Sequence, residues 1–246
     1  MVNNGRESRA RLVELSQARR DVYAFLGGAF LAPPTEVSLR ALAAEDLLAG
    51  AEELFGAEAL DSLKQYVHSA EQTPELQRQA HQEFMNLFKV PGGQYITPYE
   101  SVFRDSRDVG GKPVKGLLMG QSAVNVQKWY RLAAAEISDE YKDLPDHIGL
   151  ELNFLAHVCG KEQEFADQDD QARLTRAWEI ERDFLSVHVV PWARQLRDKL
   201  YDKSQHAVFR TVADLLVEFT RRDLATLEKV VGASSGRPLP DYEPIV

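Results

Sequence analysis

Two short runs hold the residue types from which a binding or catalytic site is built. The first, DLPDHIGLELNFLAHV (Asp143 to Val158), sets Asp146, His147 and Glu151 at the head of an apolar helical pattern. On a helical wheel from Pro145, Ile148, Leu152 and Leu155 share one stripe, which Phe154 and Val158 widen. His147 and Glu151 fall on its edge, whereas Asp146, Asn153 and His157 point the other way. One turn apart, His147 and Glu151 are spaced as an i,i+4 pair. Beside Glu151 the protonated imidazole is favoured, while burial opposes it. The plain alternative is a pair that satisfies its own hydrogen bonds at a core edge, with Asp146 favoured by the helix dipole.

The second run is TPYESVFRD, Thr97 to Asp105. If it is extended after Pro98, Tyr99, Ser101, Phe103 and Asp105 line one side, with two aromatic faces about a hydroxyl and a carboxylate. Such a platform receives an apolar peptide, or tacks a loop to the core. A third run, GLLMGQSAVNVQKWYRLA, opens on Leu117, Leu118 and Met119 and continues to Trp129, Tyr130 and Leu132. Adjacent leucines and an adaptable methionine suit an apolar groove, but ordinary core packing suits them better.

Several chemistries lack their residues. Asp146-His147 resembles an inverted fragment of metal-dependent hydrolase motifs, but no second His-Asp pair and no Glu-x-x-His pair accompany it at helical spacing. There is no serine nucleophile elbow, and GGKP lacks the phosphate-loop pattern. A lone cysteine, Cys159, excludes an intramolecular disulfide and a thiolate cluster and fits a reducing compartment. The expectation is no enzyme: no catalytic residue, no metal, no cofactor. A formal charge of -9 opposes phosphate backbones and anionic lipid, so nucleic acid is not an expected partner; it would favour a basic peptide, but more commonly such a surface serves solubility alone. No run of apolar residues is long enough to span a membrane, and the N-terminal residues lack a signal-peptide core. A cytoplasmic protein without membrane insertion is expected.

The elements that must position these residues are helical almost throughout. Apolar residues recur at three- and four-residue intervals from Ala10 to Phe30, and LAPPTE stops that helix near Leu31. Shorter helices are expected over Val37 to Leu48 and Ala57 to Ser69. Thr73 and Pro74 open another that runs to about Phe88. Nearly thirty residues of Pro- and Gly-rich sequence follow without a helical period, and such long irregular segments tend to be functional or disordered. Helices are expected again over Leu117 to Ile137, Pro145 to Phe165, Ala172 to Leu200 with a bend at Pro191, and His206 to Val231. The expected fold is all-α: one domain over 1-231, with halves 1-90 and 112-231 joined by loop 91-111, and a tail at 232-246.

Taken together, PYESVFRD, GLLMGQSA, LPDHIGLELNFLAHV and the later FLSVHVVPWARQL resemble the linked motifs of the TorD/DmsD family, which includes nitrate reductase delta-type assembly chaperones. The resemblance spans about Phe84 to Phe219. It departs in having Tyr99 where tryptophan is common, in offering Asp143 as the acidic residue before Pro-Asp-His, and in its Pro-rich end. It implies an all-helical cytoplasmic chaperone that binds an apo-molybdoenzyme, its twin-arginine signal peptide, or both, until cofactor insertion is complete. It places Tyr99, Ser101, Phe103, Asp105, Asp146 and His147 on the client-binding surface, with Leu118 and Glu151 as neighbours. A monomer or a domain-swapped dimer is expected. The alternatives are a permanent subunit of the oxidoreductase and a metal-dependent helical hydrolase.

Overall fold

The computed structural model describes residues 2-35, 37, 61, 64-66, 68-69, 73-105, 107-114, 116-137, 141-237 and 242-245. The helices expected over Val37 to Leu48 and Ala57 to Ser69 lie for the most part outside these residues. Elsewhere the helical period becomes helix. The first, α1 (Val2–Leu31), ends just before the two prolines. Helix α2 (Pro74–Phe84) opens with Pro74 inside its first turn and runs into a π-helical turn, Met85–Lys89.

The segment expected to be irregular is organised. It holds a short helix, α3 (Glu100–Arg104), and a two-stranded antiparallel hairpin, β1 (Arg107–Val109) and β2 (Lys112–Val114). Tyr99, Ser101, Phe103 and Asp105 therefore do not alternate along a strand. Helix α4 (Gln121–Leu132) starts four residues later than expected, which leaves Leu117, Leu118 and Met119 in the turn before it. Helix α5 (Ile148–Asp167) is followed by α6 (Gln171–Phe184), a second π-helical turn at Leu185–Val189, α7 (Val190–Lys203) and α8 (Ala207–Val231). Pro191 falls in the first turn of α7, where its missing N–H costs no helical bond. The π turn just before it takes up the expected bend. Apart from one small hairpin among the described residues, the fold is all-α.

Helix α5 is buried along most of its length and packs chiefly on α1. One apolar cluster runs from Leu12 through Trp129, Leu152, Phe184 and Trp192 to Ile245. The residues after α8 join it: the Ile245 N–H donates to the Leu132 carbonyl at 3.0 Å, and the Tyr242 hydroxyl donates to Asp183 at 2.5 Å. Tyr242 and Ile245, which fall within the stretch expected to be a tail, are thus packed onto the body.

A buried ionic cluster ties four helices together. Arg19 of α1 reaches Glu162 of α5 at 2.8 Å, Glu181 of α6 at 2.5 Å and Asp223 of α8 at 2.8 Å. Tyr23 donates to Asp223 at 2.6 Å, and the Cys159 thiol donates to Glu181 at 3.1 Å. Cys159, Glu162 and Glu181 bring ligand-type atoms within 4.8 Å of one another, and the Arg19 guanidinium is the cation that pairs with both carboxylates.

Candidate functional site

The TPYESVFRD and DLPDHIGL runs meet edge to edge. Pro98 keeps the chain extended into Tyr99, whose backbone pairs antiparallel with His147. The Ile148 N–H donates to the Pro98 carbonyl at 3.0 Å, and the Glu100 N–H donates to the Asp146 carbonyl at 2.9 Å. The half-buried Tyr99 ring stands edge-on to the imidazole of His147, with centroids 5.1 Å apart. Its hydroxyl donates to Asp143 at 2.8 Å, and Lys89 approaches the other oxygen of that carboxylate at 3.5 Å. Burial, then the bond to Asp143, raises the phenol above its ordinary pKa.

Two aspartates cap helices that are remote from them in sequence. Asp146 accepts from the Ser101 N–H at 2.9 Å, and so supplies an acceptor to the first turn of α3. Asp105, where α3 ends, accepts from the Ser122 N–H at 2.9 Å and from its hydroxyl at 2.6 Å, which caps the start of α4. Asp146 is fully buried and precedes α5, so it is neither on the solvent side of that helix nor in its first turn. Asp105 is likewise engaged within the fold.

His147 and Glu151 do not pair through their side chains. Helix α5 begins at Ile148, and His147 is its N-cap: Nδ1 accepts from the Gly149 N–H at 3.0 Å. That bond requires an unprotonated Nδ1, and burial lowers the imidazole pKa to about 4, against a smaller upward pull from Asp143. Glu151 turns inward, where Glu100, Asp146 and Trp192 act on it. Pro145, Asp146 and His147 precede the helix, so helical spacing counted from Pro145 merges two side chains with different surroundings.

Ser101 is fully buried, and Phe103, half-buried, lies against Trp192 with centroids 5.2 Å apart. The third run attaches to α3 through two glycines. A Cβ on Gly116 would lie 1.8 Å from the Ser101 carbonyl oxygen, and one on Gly120 would lie 2.2 Å from an Asp105 carboxylate oxygen. Only glycine permits that approach. Between these two anchors Leu117, Leu118 and Met119 stand 66%, 51% and 56% exposed, and Met119 has a φ of 61°. Neighbouring apolar side chains exposed together, one on an uncommon backbone conformation, are what a binding surface shows.

Sequence reasoning missed Glu100 and His188. Glu100, fully buried, bonds to His188 Nδ1 at 2.8 Å and pairs with Arg104, which also bonds to the Val187 carbonyl. The i,i+4 spacing of Glu100 and Arg104 was the signal available for the first, and the FLSVHVVPW run for the second. Tyr130 of α4 completes the frame by donating to the Pro145 carbonyl at 2.7 Å. All four runs thus converge: α3 touches the turn before α5 through Asp146, the Gly116–Gly120 turn through Ser101 and Asp105, and the α6–α7 junction through Glu100 and Phe103.

Comparison with known proteins places the chain in a family. The profile of the family described as nitrate reductase delta subunit matches residues 55–198, well over half of the chain and all four runs. Among relatives, a protein named Chaperone protein TorD from Vibrio cholerae serotype O1 is 23% identical over 148 residues, 60% of this chain and 62% of that protein. The chain therefore spans a little under two thirds of the length of such relatives. The Selenate reductase assembly chaperone protein of Thauera selenatis is 30% identical over 145 residues, 58% of this chain and 68% of that protein. The Chlorate reductase assembly chaperone protein of Ideonella dechloratans is 29% identical over 119 residues, 48% and 55% of the two chains. The chain belongs to the nitrate reductase delta subunit family and, by its four motif runs and its relatives, to the TorD/DmsD family.

Proposed function

We propose that this protein is a cytoplasmic assembly chaperone that holds the apo form of a molybdopterin-dependent oxidoreductase, through its twin-arginine leader, until the cofactor is in place. The observation that carries the reading is the exposed Leu117–Leu118–Met119 turn, clamped by two glycines to the α3 segment, whose N-cap Tyr99 donates to Asp143. A leader with a basic start and an apolar middle asks for an apolar and an acidic feature held on one frame. The apolar turn receives the middle; Asp143, partly exposed, attracts the start.

Each leucine or methionine side chain covered contributes about 1.5–3 kcal/mol, so three give affinity enough to hold a flexible peptide after its ordering cost. One exposed ion pair adds about 0–1 kcal/mol and orients more than it binds. Asp105, Asp146, His147 and Ser101 serve this surface from behind, as caps and spacers that fix where Tyr99 and the turn sit. Glu151 and Phe103 anchor the same frame to α5 and α7. The names of the relatives favour a chaperone over a catalyst, and no described helix is long and apolar enough to cross a membrane.

Capture from the native cytoplasm tests the reading. Tagged protein should retain a molybdopterin oxidoreductase in its cofactor-free form and release the cofactor-loaded enzyme. Retention of the mature, loaded enzyme would instead make the chain a permanent subunit.

A further inference from the structure

Beneath the surface, three carboxyls from three parts of the chain face one another in a closed space. Glu100 comes from α3, Asp146 from the turn before α5, and Glu151 from the first turn of α5; all three are fully buried. Two of them have strong donors: Glu100 has Arg104 and His188, and Asp146 has the Ser101 N–H. Glu151 has none in hydrogen-bond geometry for either oxygen, and the nearby Trp192 indole N–H is likewise unsatisfied. One oxygen of Asp146, the Ser101 hydroxyl and His188 Nε2 are unsatisfied too. A carboxylate in that setting would be a buried charge with no donor, next to two other carboxylates.

We propose that Glu100, Asp146 and Glu151 form a binding site for one proton, carried by Glu151, and that this proton latches α3 against α5 and the α6–α7 junction. The neutral acid donates its O–H toward the neighbouring carboxyl oxygens, so the bond that holds α3 down exists only while the proton is present. Arg104, a third exposed, offsets one of the remaining charges through Glu100. On the α4 side the facing group is the Tyr130 phenol and on the α7 side it is Trp192, while the charged groups that act on Glu151 are the acidic Glu100 and Asp146. Burial first, then Glu100 and Asp146, drive the Glu151 acid well above the usual carboxylate range. The sign follows. The unfolded chain gives up this proton near the ordinary glutamate pKa, whereas the folded chain keeps it, so the contribution to stability is full in acid and is lost as the pH rises toward the folded-state value.

Infrared difference spectroscopy on the full-length protein at neutral pH reads the proton directly. Glu181 is another fully buried acid, so the measurement is wild type minus variant, which cancels anything Glu181 adds. The wild type should show a protonated-carboxyl C=O stretch that Glu151→Gln lacks. Glu151→Gln should also be at least as stable as wild type to urea at mildly alkaline pH, and should lose less stability between acid and alkaline pH. Should Glu151→Gln fail to fold, Glu100→Gln serves: with one neighbouring charge removed, the same band should disappear at lower pH than in wild type. An unchanged band in Glu151→Gln, or an unshifted one in Glu100→Gln, overturns the proposal. So does a Glu151→Gln protein that is less stable than wild type at every pH.

Discussion

Arg19→Met is the substitution with the largest expected effect on the scaffold behind the site. Arg19 is 1% exposed and lies within 2.8 Å of carboxylates from α5, α6 and α8. Methionine fills much of the volume but leaves Glu162, Glu181 and Asp223 facing one another without a cation. Breaking a buried pair in this way costs about 3–5 kcal/mol, whereas replacing a whole buried cluster with apolar residues is often neutral. For a chain of this size that is a fall in melting temperature of about 10 °C. Burial already holds Glu181 and Asp223 above the ordinary carboxylate range, and Arg19 is what pulls them back down. Its loss raises both further, so the deficit should be greatest at neutral pH and shrink in acid as protons neutralise the cluster. Urea titrations of wild type and variant at several pH values measure it. A triple variant with Glu162→Gln and Glu181→Gln added should recover much of the loss. A deficit under about 1 kcal/mol at neutral pH, or one that grows in acid, would refute the reasoning.

His147 titrates far below its ordinary value, to about 4, because it is buried. Its contribution to stability is complete above about pH 6.5 and is lost as the pH falls toward 4, a swing of about 3 kcal/mol. His147→Asn keeps an N-cap acceptor for Gly149 and should remove that acid limb, whereas His147→Ala also forfeits the cap, about 1 kcal/mol more. An imidazole resonance in the folded protein that titrates near 6.5 would contradict this. Gly116→Ala drives a Cβ into the Ser101 carbonyl and should lift the 117-119 turn off α3 at a cost of about 1–3 kcal/mol. Client binding should then fall at least tenfold, as calorimetry would show, while the helical circular dichroism spectrum is kept.

Much of the scaffold was legible because its signals are local. Proline stops after Leu31, Pro74 starts α2, and the apolar period runs through α5 and α8. The site was legible as a set of runs but not as an arrangement, since its decisive bonds join residues far apart in sequence. Asp146 caps α3 across 45 residues and Asp105 caps α4 across 17, and neither partnership leaves a trace in a helical wheel. Spacing alone paired His147 with Glu151, because it could not show that α5 starts after His147. Leu117 to Met119 read as core because apolar residues usually are; their exposure follows from the two glycines that hold the turn outside the helix. Tyr242 and Ile245 looked like a tail because single apolar residues among prolines carry no period.

The central claim is that the Leu117–Met119 turn and its Tyr99–Asp143 neighbour hold the leader of an unfinished oxidoreductase. The most direct measurement is calorimetric titration of that leader, taken from the enzyme that co-purifies, into wild type and Leu118→Asp. A polar residue there forfeits the burial of one apolar side chain, about 1.5–3 kcal/mol, so binding should weaken roughly tenfold to a hundredfold with the melting temperature unchanged. Equal affinity for the two proteins would contradict the account.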